Sequence, residues 1–173
     1  MKRKCLVILL ALLLSSPALA QNAPAPPAPA QGKMITVFLA NQDGKLSGEP
    51  ASIARDPILE KEIKSAVEAI FTGAPRPVEA LPKTAKLNTV FLDGKKNVYL
   101  DFSEELINDH FGGITRDILS VSSICKTVFT NFDVEGIRIL VKGKEISSIA
   151  GHVDLESKIT HKKCDALAFY RKD

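Results

Sequence analysis

The chain has 173 residues, enough for one domain of ordinary size, with 23 Lys+Arg against 20 Asp+Glu. Three of the basic residues (Lys2, Arg3, Lys4) and none of the acidic ones fall in the first twenty positions, leaving 20 of each in the remainder. A neutral body argues against nucleic-acid binding, which needs a basic face to displace counterions.

Residues 1–20 read as a secretory signal peptide: the basic start, a short apolar run over 6–14, and the small-x-small site Ala18-Leu19-Ala20. A membrane-spanning helix needs about 20 apolar residues, more than this run supplies. Cleavage after Ala20 and export to the periplasm or beyond is the expectation, with an uncleaved amino-terminal anchor as the other reading. Cys5 leaves with the leader, and lipid attachment would need a cysteine where Gln21 stands. Residues 21–32 (QNAPAPPAPAQG) form a Pro/Ala-rich linker that cannot pack, so the domain is expected over 33–173.

Residues 34–40 (MITVFLA) predict a strand, and Asn41-Gln42-Asp43-Gly44 a turn. Pro50 marks 46–54 as an edge strand or an irregular segment. Asp56-Pro57 is expected to open a helix as cap and first residue. Its inward stripe would be Leu59, Ile63, Val67 and Ile70, beside Ala66, with Glu60 and Lys64 paired outside. Thr72-Gly73-Ala74-Pro75 ends it, and Leu81-Pro82-Lys83-Thr84 is a turn.

Residues 88–92 and 97–102 flank Asp93-Gly94-Lys95-Lys96 as a hairpin. In the second run Val98, Leu100 and Phe102 share one face, and Tyr99 and Asp101 the other. Ser103, followed by Glu104 and Glu105, is expected to cap a short helix reaching about His110. Gly112-Gly113 stops it. A second helix over about 115–130 carries Ile118, Val121, Ile124, Cys125 and Val128 on a core stripe, with Arg116, Asp117, Ser120, Ser123 and Lys126 mainly off it. Residues 137–141 predict a strand, Lys142-Gly143-Lys144 a turn, and residues 151–155 (Gly151 to Leu155) a further extended piece. Helix returning to strand is a layered α/β unit.

Cys125 and Cys164 are the cysteines left in an exported chain. An even number in an oxidising compartment suggests a disulfide, worth about 4 kcal/mol for a loop of about 40 residues in the chain-entropy model. Equally open is that Cys125 is a small buried apolar residue.

The candidates for chemistry are few. His161 and Cys164 have a spacing that could begin a metal site, but zinc normally takes four ligands. His152 is expected in a structural turn or strand, and His110 at a helix end where a cation suits the dipole. Glu104 and Glu105 are adjacent and diverge on a helix, so they cannot serve one site. Ser103 lacks a Gly-x-Ser-x-Gly elbow. Gly112-Gly113 before a helix could cradle an anion, but a helix break explains both. Gly143 follows a strand without P-loop spacing. No cofactor or metal is expected. The alternative to a binding module is a small periplasmic hydrolase or ligand-binding protein built around Ser103, His152 and Asp154.

Set side by side, these pieces resemble a single GerMN domain, the sporulation and spore-germination module of exported bacterial proteins. The resemblance covers most of 34–156. It rests on the first strand with Asp43-Gly44-Lys45-Leu46, the Gly73-Ala74-Pro75 break, Leu81-Pro82-Lys83-Thr84 and Asp101-Phe102-Ser103. It continues through Thr127-Val128-Phe129, Val134-Glu135-Gly136-Ile137, Val141-Lys142-Gly143-Lys144 and Gly151-His152-Val153-Asp154-Leu155. The family usually has Gly-Pro where Ala74 is inserted, and its best-known members carry two copies and a lipoprotein cysteine. The resemblance implies an α+β fold: a small mixed sheet with two main helices packed on one face, similar to ring-building modules. It also implies a cell-envelope role without enzymatic activity, through contact with a protein partner, peptidoglycan or a second copy.

Overall fold

The structure, a computed structural model, describes residues 32–72 and 78–169. The leader, residues 21–31 of the linker and the Gly73-Ala74-Pro75 break lie outside the described residues. In chain order the elements are β1 (Gly32–Ala40), β2 (Leu46–Ala54), α1 (Leu59–Phe71), β3 (Leu87–Leu92), β4 (Asn97–Phe102), α2 (Glu105–Asn108), α3 (Ile114–Asn131), β5 (Gly136–Val141), β6 (Lys144–Glu145) and α4 (His161–Phe169). The class is α+β, as expected, with α1 and α3 as the two main helices. The strands divide into two sheets. β3-β4-β5-β6 is mixed, with β4 and β5 parallel and joined by the α2–α3 crossover, while β1 and β2 form a separate antiparallel ribbon.

Alternation sets the inward face of the larger sheet. Val98, Leu100 and Phe102 are fully buried and lie opposite Ile137, Ile139 and Val141 in parallel register. Against this layer pack Ile63, Ala66, Val67 and Ile70 of α1 and Val121, Ile124, Cys125 and Val128 of α3, forming one continuous core. Burying each large apolar side chain stabilises the fold by roughly 1.5–3 kcal/mol. The four-residue hairpin loop is organised by Asp93. Its Oδ1 accepts from the amides of Lys95 and Asn97, both at 2.8 Å, and its Oδ2 from Asn97 Nδ2 at 2.8 Å.

The ribbon is completed by a helix. Thr36 lies opposite Pro50, and the main-chain groups of Thr36 and Phe38 point away from β2. Polar side chains one turn apart on α3 satisfy them. Thr36 N–H donates to Asn131 Oδ1 (2.9 Å), and Asn131 Nδ2 donates to Thr36 O (2.7 Å). Phe38 N–H donates to Thr127 Oγ1 (3.0 Å), and Ser123 Oγ donates to Phe38 O (2.5 Å). α3 therefore stands where a third strand would pair, which covers an otherwise sticky edge. Pro50, whose missing donor would face outward, fits the edge position.

This geometry corrects the expected helix faces. Asp117, Ser120 and Ser123 are buried, because α3 is enclosed by the ribbon and by the 148–153 loop as well as by the core. Two helix starts also differ. α1 begins at Leu59 rather than at Pro57, since Asp56 Oδ1 accepts from Ile58 N–H (2.9 Å) in a turn before the helix. Ser103 does not cap α2. Its Oγ accepts from Lys86 N–H (3.0 Å) and its own N–H donates to Lys86 O (2.8 Å), which prolongs the β3–β4 pairing. Lys64 pairs with Glu68 (3.9 Å) rather than with Glu60. Residues 151–155 are not extended but form a turn and loop, with Gly151 at φ 87°.

Candidate functional site

The amino-terminal half of α3 is flanked by two neighbouring clefts. One, of about 350 Å³, lies between the β1–β2 turn, α3 and α4. Phe38, Leu46, Ile118, Leu119 and Leu167 give it apolar walls; Ser122, Lys126, Lys45 and Thr115 are its polar members. The other, shallower, about 440 Å³, runs over Gln42–Gly44 and Gly112–Arg116. Asn41 shapes their shared wall: its Oδ1 accepts from the amides of Asp43 (3.0 Å) and Lys45 (2.9 Å), with Gly44 at φ 66°. Gly112 and Gly113, at φ 73° and 82°, turn the chain from α2 into α3, a conformation that disfavours other residues.

Behind this end of α3 lies a buried polar cluster. Asp117 Oδ2 accepts from the amides of His152 (2.8 Å) and Val153 (3.0 Å) and from Ser148 Oγ (3.2 Å). Its Oδ1, also buried, has no partner among the described residues. Gly112 N–H donates to His110 Nδ1 (3.1 Å), so Nε2 carries the ring proton and donates to Ser120 Oγ (2.8 Å). Ser120 Oγ in turn faces the Ala80 and Arg116 carbonyls. His110 is thus not the helix-end cation expected. Burial pushes its pKa below the usual histidine value, against the attraction of Asp117 and with the help of Arg116.

That shift fixes a pH dependence. The unfolded chain binds more protons at His110, so its contribution to stability is present above about pH 6.5 and is lost as pH falls through the lower folded value. The midpoint of urea denaturation is expected to drop between pH 7.5 and 5.0, and to drop less in His110→Gln. Glu62, lowered by the Lys33 hydrogen bond, and Asp93, lowered by Asn97, start from 4.5 and 3.8 and act below this window. An equal drop in variant and parent would count against the assignment.

The structure does not bring Ser103, His152 and Asp154 together. Ser103 ends β4 against Lys86, and the exposed His152 contributes its amide to Asp117. Asp154 is held by Lys163 Nζ (3.0 Å), which lowers its pKa. No hydrogen bond links any two of them among the described residues, and none lines either cleft. Asp101 braces the next turn by accepting from Gly143 N–H (2.6 Å), where Lys142 and Gly143 both have positive φ. Cys125 and Cys164 are joined, with their Cα atoms 6.0 Å apart, so of the two readings the disulfide holds. Cys164 is therefore no metal ligand. His161 stacks on Phe129 at 4.0 Å and its Nε2 meets Val134 O at 3.0 Å.

Residues 36–147 match the protein family described as Germane: Sporulation and spore germination. The chain belongs to this family. Its fold is similar to the first GerMN domain of the sporulation protein GerM from Bacillus subtilis. That match has 18% identity and a TM-score of 0.60, over 75% of this chain and 98% of that one. The tandem GerMN domains of the same protein match at 18% identity and a TM-score of 0.62, over 76% of this chain and 47% of the tandem. The chain thus spans about half the tandem's length. No curated protein sequence matches it.

Within this Germane chain the motifs that carried the resemblance have structural tasks. Thr127-Val128-Phe129 supplies a hydroxyl to β1, a core side chain and the ring under His161. Ser103 lengthens a strand pair, and Asp101 and Gly143 lock the turn after β5. Sequence reasoning missed Asp117, Ser122 and the trio Ser123, Thr127 and Asn131. The i,i+4 spacing of the trio was the available signal.

Proposed function

We propose that this Germane domain is an exported, non-enzymatic module of the cell envelope that binds a protein partner through the α2–α3 corner. One observation carries the reading. Within eight residues of that corner three large apolar side chains stand exposed: Ile107 at 38%, Phe111 at 50% and Ile114 at 54%. Arg116 lies 4.6 Å over the Phe111 ring, which leaves an apolar surface with a cationic rim. Aromatic residues with arginine are the usual anchors of protein interfaces, and exposed apolar clusters mark binding surfaces. Export is supported by the leader's composition and by the Cys125–Cys164 bond, since disulfides persist in oxidising compartments.

A photo-crosslinking residue at position 111 in the native host is expected to capture a defined envelope protein. Ile107→Asp and Ile114→Asp should each reduce that capture at least tenfold while leaving circular dichroism unchanged. Co-sedimentation with purified sacculi and light scattering after size exclusion give the other arms. Retention on sacculi unaffected by these variants would favour peptidoglycan contact elsewhere. A concentration-dependent dimer broken by them would make the partner a second copy. A monomer that crosslinks to nothing and leaves sacculi in solution would refute the proposal.

A further inference from the structure

We infer that the cleft between the β1–β2 turn, α3 and α4 is a binding site for a small amphipathic carboxylate. The observation that points to a ligand is Ser122. Its residue is 1% exposed, it lines the cleft, and its Oγ has no hydrogen-bond partner among the described residues. Buried hydroxyls are nearly always paired, and helix serines commonly turn back onto a carbonyl of the preceding turn. Two neighbours behave that way or its equivalent: Ser120 faces Arg116 O (2.8 Å) and Ser123 donates to Phe38 O. Ser122 does neither: its donor is unmatched, and its residue lies in the wall of the cleft.

The charge of a matching acceptor follows from Lys126, one turn further along the same helix face. Its side chain is 26% exposed, lines the same cleft, and lies 5.8 Å from the Phe38 ring centroid. Its carboxylate partner Asp165 is 4.0 Å away, the outer limit of an ion pair. A hydroxyl donor and a loosely paired ammonium on adjacent turns suit the two oxygens of a carboxylate. Phe38, Ile118 and Leu167 offer nothing to a polar body and favour an apolar chain. A volume of about 350 Å³ falls within the range of small-molecule sites. The site borders the α2–α3 corner at Thr115 but uses none of Ile107, Phe111 and Ile114, and the proposal does not rest on partner binding there.

Free short-chain acids and the apolar carboxyl ends of peptides share this chemistry. Titration of the isotope-labelled full chain with octanoate and with N-acetyl-leucine, read by amide chemical shifts, separates the two sources. At least one acid is expected to give saturable shifts at Thr115, Ser122 and Lys126. Ser122→Ala and Lys126→Gln should each weaken that acid at least tenfold, and octylamine should cause no shift. Because Ser122→Ala removes an unpaired buried hydroxyl, it should also raise Tm by about 2–4 °C. The inference is overturned if neither acid shifts these residues, or if octylamine or inorganic phosphate binds as tightly. It is also overturned if Lys126→Gln keeps the affinity or if Ser122→Ala lowers Tm.

Discussion

Replacing Asp117 by alanine is expected to destabilise the domain by about 3–5 kcal/mol. The carboxyl group is fully buried on α3, and one of its oxygens receives two main-chain amides and a serine hydroxyl from the 148–153 loop. Alanine would leave all three donors without that acceptor; the Val153 amide is buried, where an unsatisfied group costs about 1–3 kcal/mol, while the part-buried Ser148 and His152 donors can turn to water. The loop carries Ile149, Val153 and Leu155 into the core, so its release also exposes apolar surface. Asp117→Asn keeps an acceptor of the same shape and should lose about half as much. Urea denaturation gives the totals, and hydrogen exchange should show protection vanishing first over 147–155. If the alanine variant unfolds within about 1 kcal/mol of the parent, the loop is held by its apolar residues and not by Asp117.

Loss of the Cys125–Cys164 bond should cost a comparable amount. The bond closes a sequence separation of 39, which corresponds to about 4 kcal/mol in the chain-entropy model of the unfolded state. It ties α4 to the middle of α3, in a position where both cysteines are buried in the core. The Cys125→Ala/Cys164→Ala double variant should lower the urea midpoint accordingly, and a reductant should do the same to the parent. The parent's midpoint staying fixed under full reduction, verified by thiol counting, would remove the bond from the account. With the bond gone, α4 retains the Ile137–Ile159 bridge before it and the His161 contacts to Phe129 and Val134. It should then exchange its amides faster than α3.

Much of the architecture was legible from periodicity. Period two in residues 97–102 named the buried face of β4, and the three–four spacing over 118–128 found the core side of α3. The errors share one cause. Pattern reading assigns polar residues to solvent, but α3 is enclosed on more than one side. Asp117, Ser120, Ser123, Thr127 and Asn131 answer main-chain groups 35–95 positions away. Such partners are long-range and invisible to a local window. Ser103 and Asp56 failed as caps because other amides took their oxygens: that of Lys86, 17 positions back beside β3, and that of Ile58 in a turn. The cleft was illegible because its walls come from β1, β2, α3 and α4, and only the fold makes them neighbours.

The way α3 docks on the ribbon limits how copies of this domain can meet. With Thr36 and Phe38 already engaged, β1 has no free rung at these positions for an incoming chain. On the far side Pro50 interrupts the row of amides that a strand from another molecule would need. Cross-β stacking is thus hindered at both margins of the hairpin, so growth of a fibril from this ribbon would first have to detach α3.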